Sequence, residues 1–114
     1  MLARSHRLTT PAQFRTAVRS GRRAGGPLVV LHLAATSSPD QPRVGFVVSK
    51  AVGGAVVRNR VKRRLREILR GRLALLPLGS LTVVRAQPQT STATYADLES
   101  AVDRQLRRLI GEAA

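Results

Sequence analysis

The stretch GGAVVRNRVKRRLREILR, residues 53–70, decides the fold because it gives one predicted helix two different surfaces. At about 100° per residue, its apolar side chains group within about 80° of arc. These side chains are Val57, Val61, Leu65 and Ile68, with Leu69 at the margin. The opposite side carries Asn59, Lys62, Arg63, Arg66 and Arg70. The pattern predicts a helix that packs on a core through one face and presents cations to an anionic partner through the other.

The charge balance of the whole chain favours a nucleic-acid partner. The 114 residues are 43% hydrophobic and 23% charged, which is typical of a globular protein, and we expect residues 1–114 to form a single domain. Twenty Lys and Arg side chains stand against six Asp and Glu, a net charge of +14. A surface that repels itself this strongly is suited to a polyanion such as RNA.

Membrane and disulfide-bonded classes are excluded by what the sequence lacks. There is no cysteine, so neither a disulfide nor a cysteine-based metal site can form. No apolar run approaches the roughly 18 residues of a membrane span, and the basic N-terminus is not followed by the apolar region of a signal peptide. We therefore expect a cytoplasmic protein without a membrane partner.

Catalysis by the polypeptide itself is not expected. The acidic residues are scattered along the chain: Asp40, Glu67, Asp97, Glu99, Asp103 and Glu112. A metal-dependent nuclease needs carboxylates clustered around the metal. The two histidines, His6 and His32, fall on different predicted elements with no paired acid beside them. The sequence thus predicts no catalytic residue and no metal or cofactor bound by the protein.

The N-terminal third predicts an arm, a helix and a strand. Residues 1–9 form a basic arm that we expect to be flexible. Thr10, Pro11 and Gln13 mark a helix start with a capping box, and Gly21 ends this helix after about seven to ten residues. A basic turn or short edge strand follows at 22–27, and then a strand at 28–35.

The remaining elements complete a two-layer α+β sandwich. A second strand, 43–49, follows a loop rich in turn residues and suggests an antiparallel hairpin with 28–35. After the basic helix comes a third clear strand at 81–85, and a last helix runs from Thr94 to Gly111. The order is helix, strands, helix, strand, helix, with the basic helix crossing between 43–49 and 81–85.

Two ordered motifs carry a family resemblance. RVGFVVSK at 43–50 precedes AVVRNRVKR at 55–63, so an Arg-Asn-Arg signature begins a basic helix directly after a strand. With Arg7-Leu8, Phe14, the later strand and the last helix in their expected places, nearly the whole chain resembles the protein subunit of bacterial ribonuclease P. The resemblance implies a ribosomal-protein domain-2-like sandwich with a left-handed βαβ crossover, although handedness rules alone favour the right-handed form.

The resemblance also implies a function shared with RNA. The family binds a large catalytic RNA, and the ribonucleoprotein is an endoribonuclease that removes the 5′ leader of precursor tRNA in tRNA processing. The chemistry belongs to the RNA with Mg²⁺, so the protein alone is not expected to cleave. The expected partners are the catalytic RNA and precursor tRNA, with no obligate protein partner.

Site residues follow from matching the motifs position by position. By resemblance, the leader is held in a cleft by Phe14, Val18, His32, Asn59, Lys62 and Arg66. The catalytic RNA is expected at Lys50, Arg58, Arg60, Arg63 and Arg64. The family often has aromatic residues at the positions of Val18 and His32, and an Asn at that of Gly54. Leader contacts should therefore depend more on cations here, with Phe14 as the candidate for stacking on a base.

Two other functions remain open from the sequence. A structural RNA-binding protein of ribosomal type, without a role in an enzyme, would have the same basic helix. A small DNA-binding regulator is less well supported, because no helix-turn-helix pattern precedes that helix.

Overall fold

A computed structural model describes residues 2–111 of the chain. Three α-helices and four strands lie within that range. In chain order they are α1 Pro11–Ser20, β1 Arg22–Gly25, β2 Val29–Ala34, β3 Arg43–Val47, α2 Ala55–Arg70, β4 Leu81–Ala86 and α3 Tyr95–Ile110. The α+β prediction is therefore confirmed, with β1 as the short edge strand. Met1 of the predicted arm and Glu112 among the scattered acids lie outside the described residues.

The sheet order, β1-β2-β4-β3, shows that the expected hairpin was wrong. Strand β4 lies between β2 and β3, antiparallel to the first and parallel to the second. The loop after β2 does not form a hairpin turn; it is hydrogen-bonded to the residues that precede β4. Thr36 Oγ1 donates to the Gly79 carbonyl at 2.7 Å, and the Gly79 N–H donates to the Asp40 carbonyl at 2.7 Å. The eight residues 35–42, two of them prolines, are long enough to pass one intervening strand, a distance of roughly 10 Å between strand axes.

The parallel pairing of β3 and β4 makes α2 a crossover helix, as predicted. Gly53 has φ +155°, and a Cβ there would stand 3.0 Å from Cβ of Val57. A glycine is therefore needed where the chain turns into the helix. The hand of this crossover stays a prediction.

The sheet buries two unequal faces. One face packs on α2 and α3 in the main core, to which α2 contributes Val61, Leu65, Ile68 and Leu69 and half-buried Val57. The other face packs on α1 in a smaller cluster of Leu8, Ala17 and Val83. Because burying one large apolar side chain contributes roughly 1.5–3 kcal/mol, the apolar stripe of α2 is a major stabilising element. The predicted stripe is confirmed.

Residues 2–9, which we expected to be a flexible arm, pack along the outer edge of β3. Leu2 is 1% exposed and Leu8 is 8% exposed. The Leu8 N–H donates to the Val44 carbonyl at 3.1 Å, and Arg7 donates through Nε to the Leu2 carbonyl at 3.0 Å. The basic charge of residues 1–9 suggests a flexible arm, but burial of these two leucines holds the segment against the sheet.

Candidate RNA interface

The exposed side of α2 forms a concave surface of basic side chains. A cleft of about 520 Å³ is lined by Asn59, Lys62, Arg63, Arg66 and Glu67. The spacing of these residues in sequence, three to four apart, places them on one flank of the helix. Four of the five side chains are cationic or hydrogen-bonding groups suited to phosphates and bases. Helical spacing therefore correctly predicted that Asn59, Lys62, Arg63 and Arg66 share the side of α2 opposite the apolar stripe.

A second concavity joins this flank to α1 across β3. It has a volume of about 160 Å³, and its lining includes Phe14, Gly45, Phe46, Lys62 and Arg66. Lys62 and Arg66 line both concavities, so the two are adjacent. An aromatic ring and two cations thus meet in one groove, the combination with which proteins bind single-stranded nucleic acid.

Gly45 fixes the position of the Phe14 ring. A Cβ built on Gly45 would lie 2.5 Å from Cζ and 2.6 Å from Cε1 of Phe14, and 2.8 Å from Cδ1 of Leu8. The ring therefore lies directly on the backbone of β3, and only a glycine at position 45 leaves room for it. Phe14 is half-buried, so it packs on the sheet while part of it faces the groove.

Val18 and His32 lie apart from these two concavities. Val18 follows Phe14 by one helical turn and packs on the Val83 cluster. His32, in the middle of β2, is only 5% exposed, and neither ring nitrogen has a hydrogen-bond partner in the described part of the chain. Burial lowers the pKa of His32, and the positive charges of Arg85 and Arg23 lower it further. The imidazole is therefore a neutral, buried group near pH 7 rather than an exposed stacking surface.

The other flank of α2 is held against the chain that follows β4. Arg60 Nη2 donates to the Ser91 carbonyl at 2.8 Å, and Arg64 Nη1 donates to the Ala93 carbonyl at 3.1 Å. Both side chains are half-buried, as is Arg58, whereas Lys50 in the preceding turn is exposed. Backbone carbonyls orient these guanidinium groups without neutralising their charge, so the flank stays strongly positive.

The structure thus brings together Phe14, Lys62 and Arg66 and places Asn59 beside them. Arg63, a residue predicted to bind the catalytic RNA, lies on the flank of Asn59 and Lys62, and its role stays a prediction. Sequence reasoning missed Phe46 and Leu2, which line the groove. The alternation of β3 could have indicated Phe46, since its neighbours Gly45 and Val47 face α1.

Within residues 2–111, no group of three His, Asp or Glu side chains is placed to hold a metal ion. No helix in the same range is long and apolar enough to cross a bilayer.

Comparison with known proteins gives one consistent family. Residues 2–110 match the family model described as Ribonuclease P. The Ribonuclease P protein component of Streptomyces avermitilis is 54% identical over 122 aligned positions, covering 100% of this chain and 99% of the relative. That of Thermobifida fusca is 50% identical, covering 94% and 78%.

Two solved structures have the same fold. The RNase P protein of Thermotoga maritima aligns with a TM-score of 0.77 and 25% identity, over 90% of this chain and 96% of the other. The Staphylococcus aureus RNase P protein aligns with a TM-score of 0.83 and 24% identity, over 92% and 95%.

Proposed function

The chain belongs to the ribonuclease P protein family, and we propose that its groove binds the 5′ leader of precursor tRNA while the rest of α2 binds the catalytic RNA. As a protein component of ribonuclease P, it is a subunit of an endoribonuclease in tRNA processing, whose catalytic subunit is RNA. Because the chain belongs to this family, it is neither a structural RNA-binding protein of ribosomal type nor a small DNA-binding regulator.

One observation carries the leader assignment: the groove combines the Phe14 ring with the cations Lys62 and Arg66. A leader is single-stranded, so its bases can stack and its phosphates remain accessible. Stacking on an aromatic side chain contributes about 1–3 kcal/mol per base. Mature tRNA lacks the leader, so contacts in this groove should distinguish precursor from product.

Binding of the catalytic RNA is assigned to the arginines outside the groove and to Lys50. Arg60 and Arg64 lie along the flank that contacts residues 91–93, where carbonyls fix their orientation, and Arg58 is half-buried in the first turns of α2. Because the protein supplies charge and position, we expect Mg²⁺ to be held by the RNA and the protein to lower the Mg²⁺ concentration needed for cleavage.

Reconstitution with the catalytic RNA tests both assignments. We expect Lys62→Gln to weaken binding of precursor tRNA by roughly tenfold, with mature tRNA unchanged, because only the precursor reaches the groove. Arg104→Gln removes one exposed charge from α3 and serves as the matched control. Equal losses for precursor and mature tRNA would refute the leader assignment. A protein with no effect on cleavage at low Mg²⁺ would refute the proposed role as a whole.

A further inference from the structure

The segment that joins β4 to α3, residues 87–93, supplies two carbonyl groups that hold arginines of α2. The Ser91 carbonyl accepts a hydrogen bond from Arg60 at 2.8 Å, and the Ala93 carbonyl accepts one from Arg64 at 3.1 Å. Because these arginines are four residues apart, they are neighbours on one flank of the helix. The conformation of this connecting segment therefore determines how the two guanidinium groups are oriented.

Hydrogen bonds within the connecting segment converge on Thr90. Its N–H and its hydroxyl Oγ1 both donate to the Gln87 carbonyl, at 3.0 Å and 2.7 Å. Its own carbonyl accepts the Ala93 N–H at 3.3 Å. The Gln87 N–H donates to the carbonyl of Leu28, the residue directly before β2, at 2.8 Å. A series of hydrogen bonds thus runs from the sheet through Thr90 to one of the residues that hold the arginines.

The side chain of Thr90 is enclosed by protein. It is 0% exposed, so it cannot contact RNA itself. Burial of a hydroxyl group is unfavourable unless the group forms a hydrogen bond, and the bond to Gln87 meets this requirement. Valine has nearly the same shape without the donor and would fill the same space. What threonine adds at this position is therefore the hydrogen bond that fixes the connecting segment.

An arginine that is already oriented binds a phosphate more tightly than an unrestrained one. A long side chain loses rotamer entropy when a ligand immobilises it, and this loss lowers the affinity. Arg60 and Arg64 each donate one N–H to a carbonyl and keep further donors for phosphate oxygens. The acceptors are neutral, so the positive charge remains available to RNA. The connecting segment thus orders these cations before RNA binds.

We propose that Thr90 is a positioning residue, whose hydrogen bonds keep Arg60 and Arg64 in the orientation that binds the catalytic RNA. It acts through the carbonyls of the connecting segment. This inference rests on the proposed function, in which these two arginines bind that RNA. It adds a determinant of RNA binding that lies outside α2, carries no charge and does not touch RNA. The leader groove lies on the other flank of α2, so it should not depend on Thr90.

Thr90→Val and Thr90→Ser test this role in a binding titration of the full chain with the catalytic RNA. Valine removes the hydroxyl and should weaken binding roughly fivefold, which corresponds to about 1 kcal/mol, the typical contribution of one hydrogen bond. Serine keeps the hydroxyl and should restore most of the affinity. Thr82→Val is the matched control, since Thr82 is equally buried but its hydroxyl has no hydrogen-bond partner among residues 2–111. Unchanged affinity for Thr90→Val, or an equal loss for Thr82→Val, would overturn the proposal.

A double-mutant cycle separates positioning from a general loss of stability. In a protein with Arg60→Gln and Arg64→Gln, the side chains to be positioned are absent. Thr90→Val should therefore cause no further loss of affinity for the catalytic RNA in that background. A fivefold loss that persists there would show that Thr90 acts through the fold as a whole, and the proposal would be rejected.

The orientation of the arginines can also be measured without RNA. Order parameters of the side-chain Nε–H groups, obtained by NMR relaxation, report how strongly each guanidinium group is restrained. In Thr90→Val, the values for Arg60 and Arg64 should fall, whereas that of the exposed Arg104 on α3 should not change. Thr90→Ser should retain the values of the unaltered protein. If Arg60 and Arg64 are as ordered in Thr90→Val as in the unaltered protein, Thr90 does not position them.

The outcomes separate this inference from the proposed function. If Arg60→Gln with Arg64→Gln weakens binding of the catalytic RNA while Thr90→Val does not, the role of Thr90 is refuted and the assignment of the arginines stands. If removal of both arginines leaves that binding unchanged, the assignment fails and the inference fails with it. If Thr90→Val weakens binding of precursor tRNA but not of mature tRNA, the connecting segment serves the leader and the inference is overturned.

Discussion

Helices α2 and α3 have the same length, sixteen residues, and pack on the same side of the sheet, yet α2 is strongly positive and the charges of α3 are balanced. Helix α2 carries seven basic residues and one acid, and α3 carries three of each. Thr94 and Asp97 form a capping box at the start of α3, and Arg107 and Arg108 lie in its last turn, where the helix dipole favours them. Helix α2 starts at Gly54 with no side-chain cap and no acid in its first turn.

This difference indicates that α3 mainly stabilises the fold, whereas α2 mainly binds RNA. Next to α3, the cation of Arg72 is neutralised by two carboxylates, at 2.8 Å from Asp103 Oδ1 and 3.0 Å from Glu99 Oε2. On α2, Arg60 and Arg64 contact only backbone carbonyls. The positive charge of α2 is therefore left for an external anion, and the RNA partner completes the electrostatics of this helix.

The largest expected effect comes from reversing charge on α2. Arg58→Glu with Arg60→Glu should weaken binding of the catalytic RNA by roughly a hundredfold, about 3 kcal/mol, because cations on phosphates are replaced by repelling anions. The measurement is a binding titration at several salt concentrations, in which the slope should also fall. Arg104→Glu with Arg107→Glu makes the same charge change on α3 and should have a much smaller effect. Equal losses for the two helices would show that net charge, not the α2 surface, determines RNA binding.

An intermediate effect is expected from the ion pairs of α3. Arg72→Met should lower the free energy of unfolding by about 2 kcal/mol, because Asp103 and Glu99 lose hydrogen bonds from a charged donor. Urea denaturation of the free protein measures this loss. The exposed pair of Arg70 and Glu67, 3.5 Å apart, gives the control: Arg70→Met should cost less than about 0.5 kcal/mol. A similar cost for the two variants would contradict the special role of Arg72.

The same variant has a defined pH dependence. The hydrogen bonds from Arg72 hold the pKa of Asp103 below its ordinary value. A carboxyl with a lowered pKa stabilises the folded state above its unfolded value, about 3.9, and this contribution is lost as the pH falls through the folded value. The difference in stability between the unaltered protein and Arg72→Met should therefore be constant near pH 7 and shrink below about pH 4. A difference that stays constant down to pH 2 would exclude this carboxyl as the cause.

The sequence predicted these two helices well because each has its own local signals. The apolar stripe of α2, the Thr94 cap of α3 and the glycine before α2 are all set by residues within a few positions of each other. What it missed depends on distant contacts. Three features join residues more than 30 positions apart: the insertion of β4 between β2 and β3, the packing of Phe14 on Gly45, and the burial of Leu2. The carbonyl groups that accept hydrogen bonds from Arg60 and Arg64 were missed for the same reason. The spacing of residues on a helix cannot show which flank another segment will cover.

The smallest effect concerns the uncapped start of α2 and completes the comparison with α3. Gly54 has φ −70° and ψ 178°, the extended conformation of an N-cap residue, and a Cβ there would meet no atom within 4 Å. Gly54→Ser adds a side-chain acceptor for an N–H of the first turn and should stabilise the free protein by a few tenths of a kcal/mol. Gly54→Ala fills the same space without an acceptor and should be destabilising, so the two variants should differ by about 1 kcal/mol. Thermal unfolding would resolve that difference as roughly 4–8 °C. Equal melting temperatures for the two variants would show that a side-chain cap at this position does not stabilise α2.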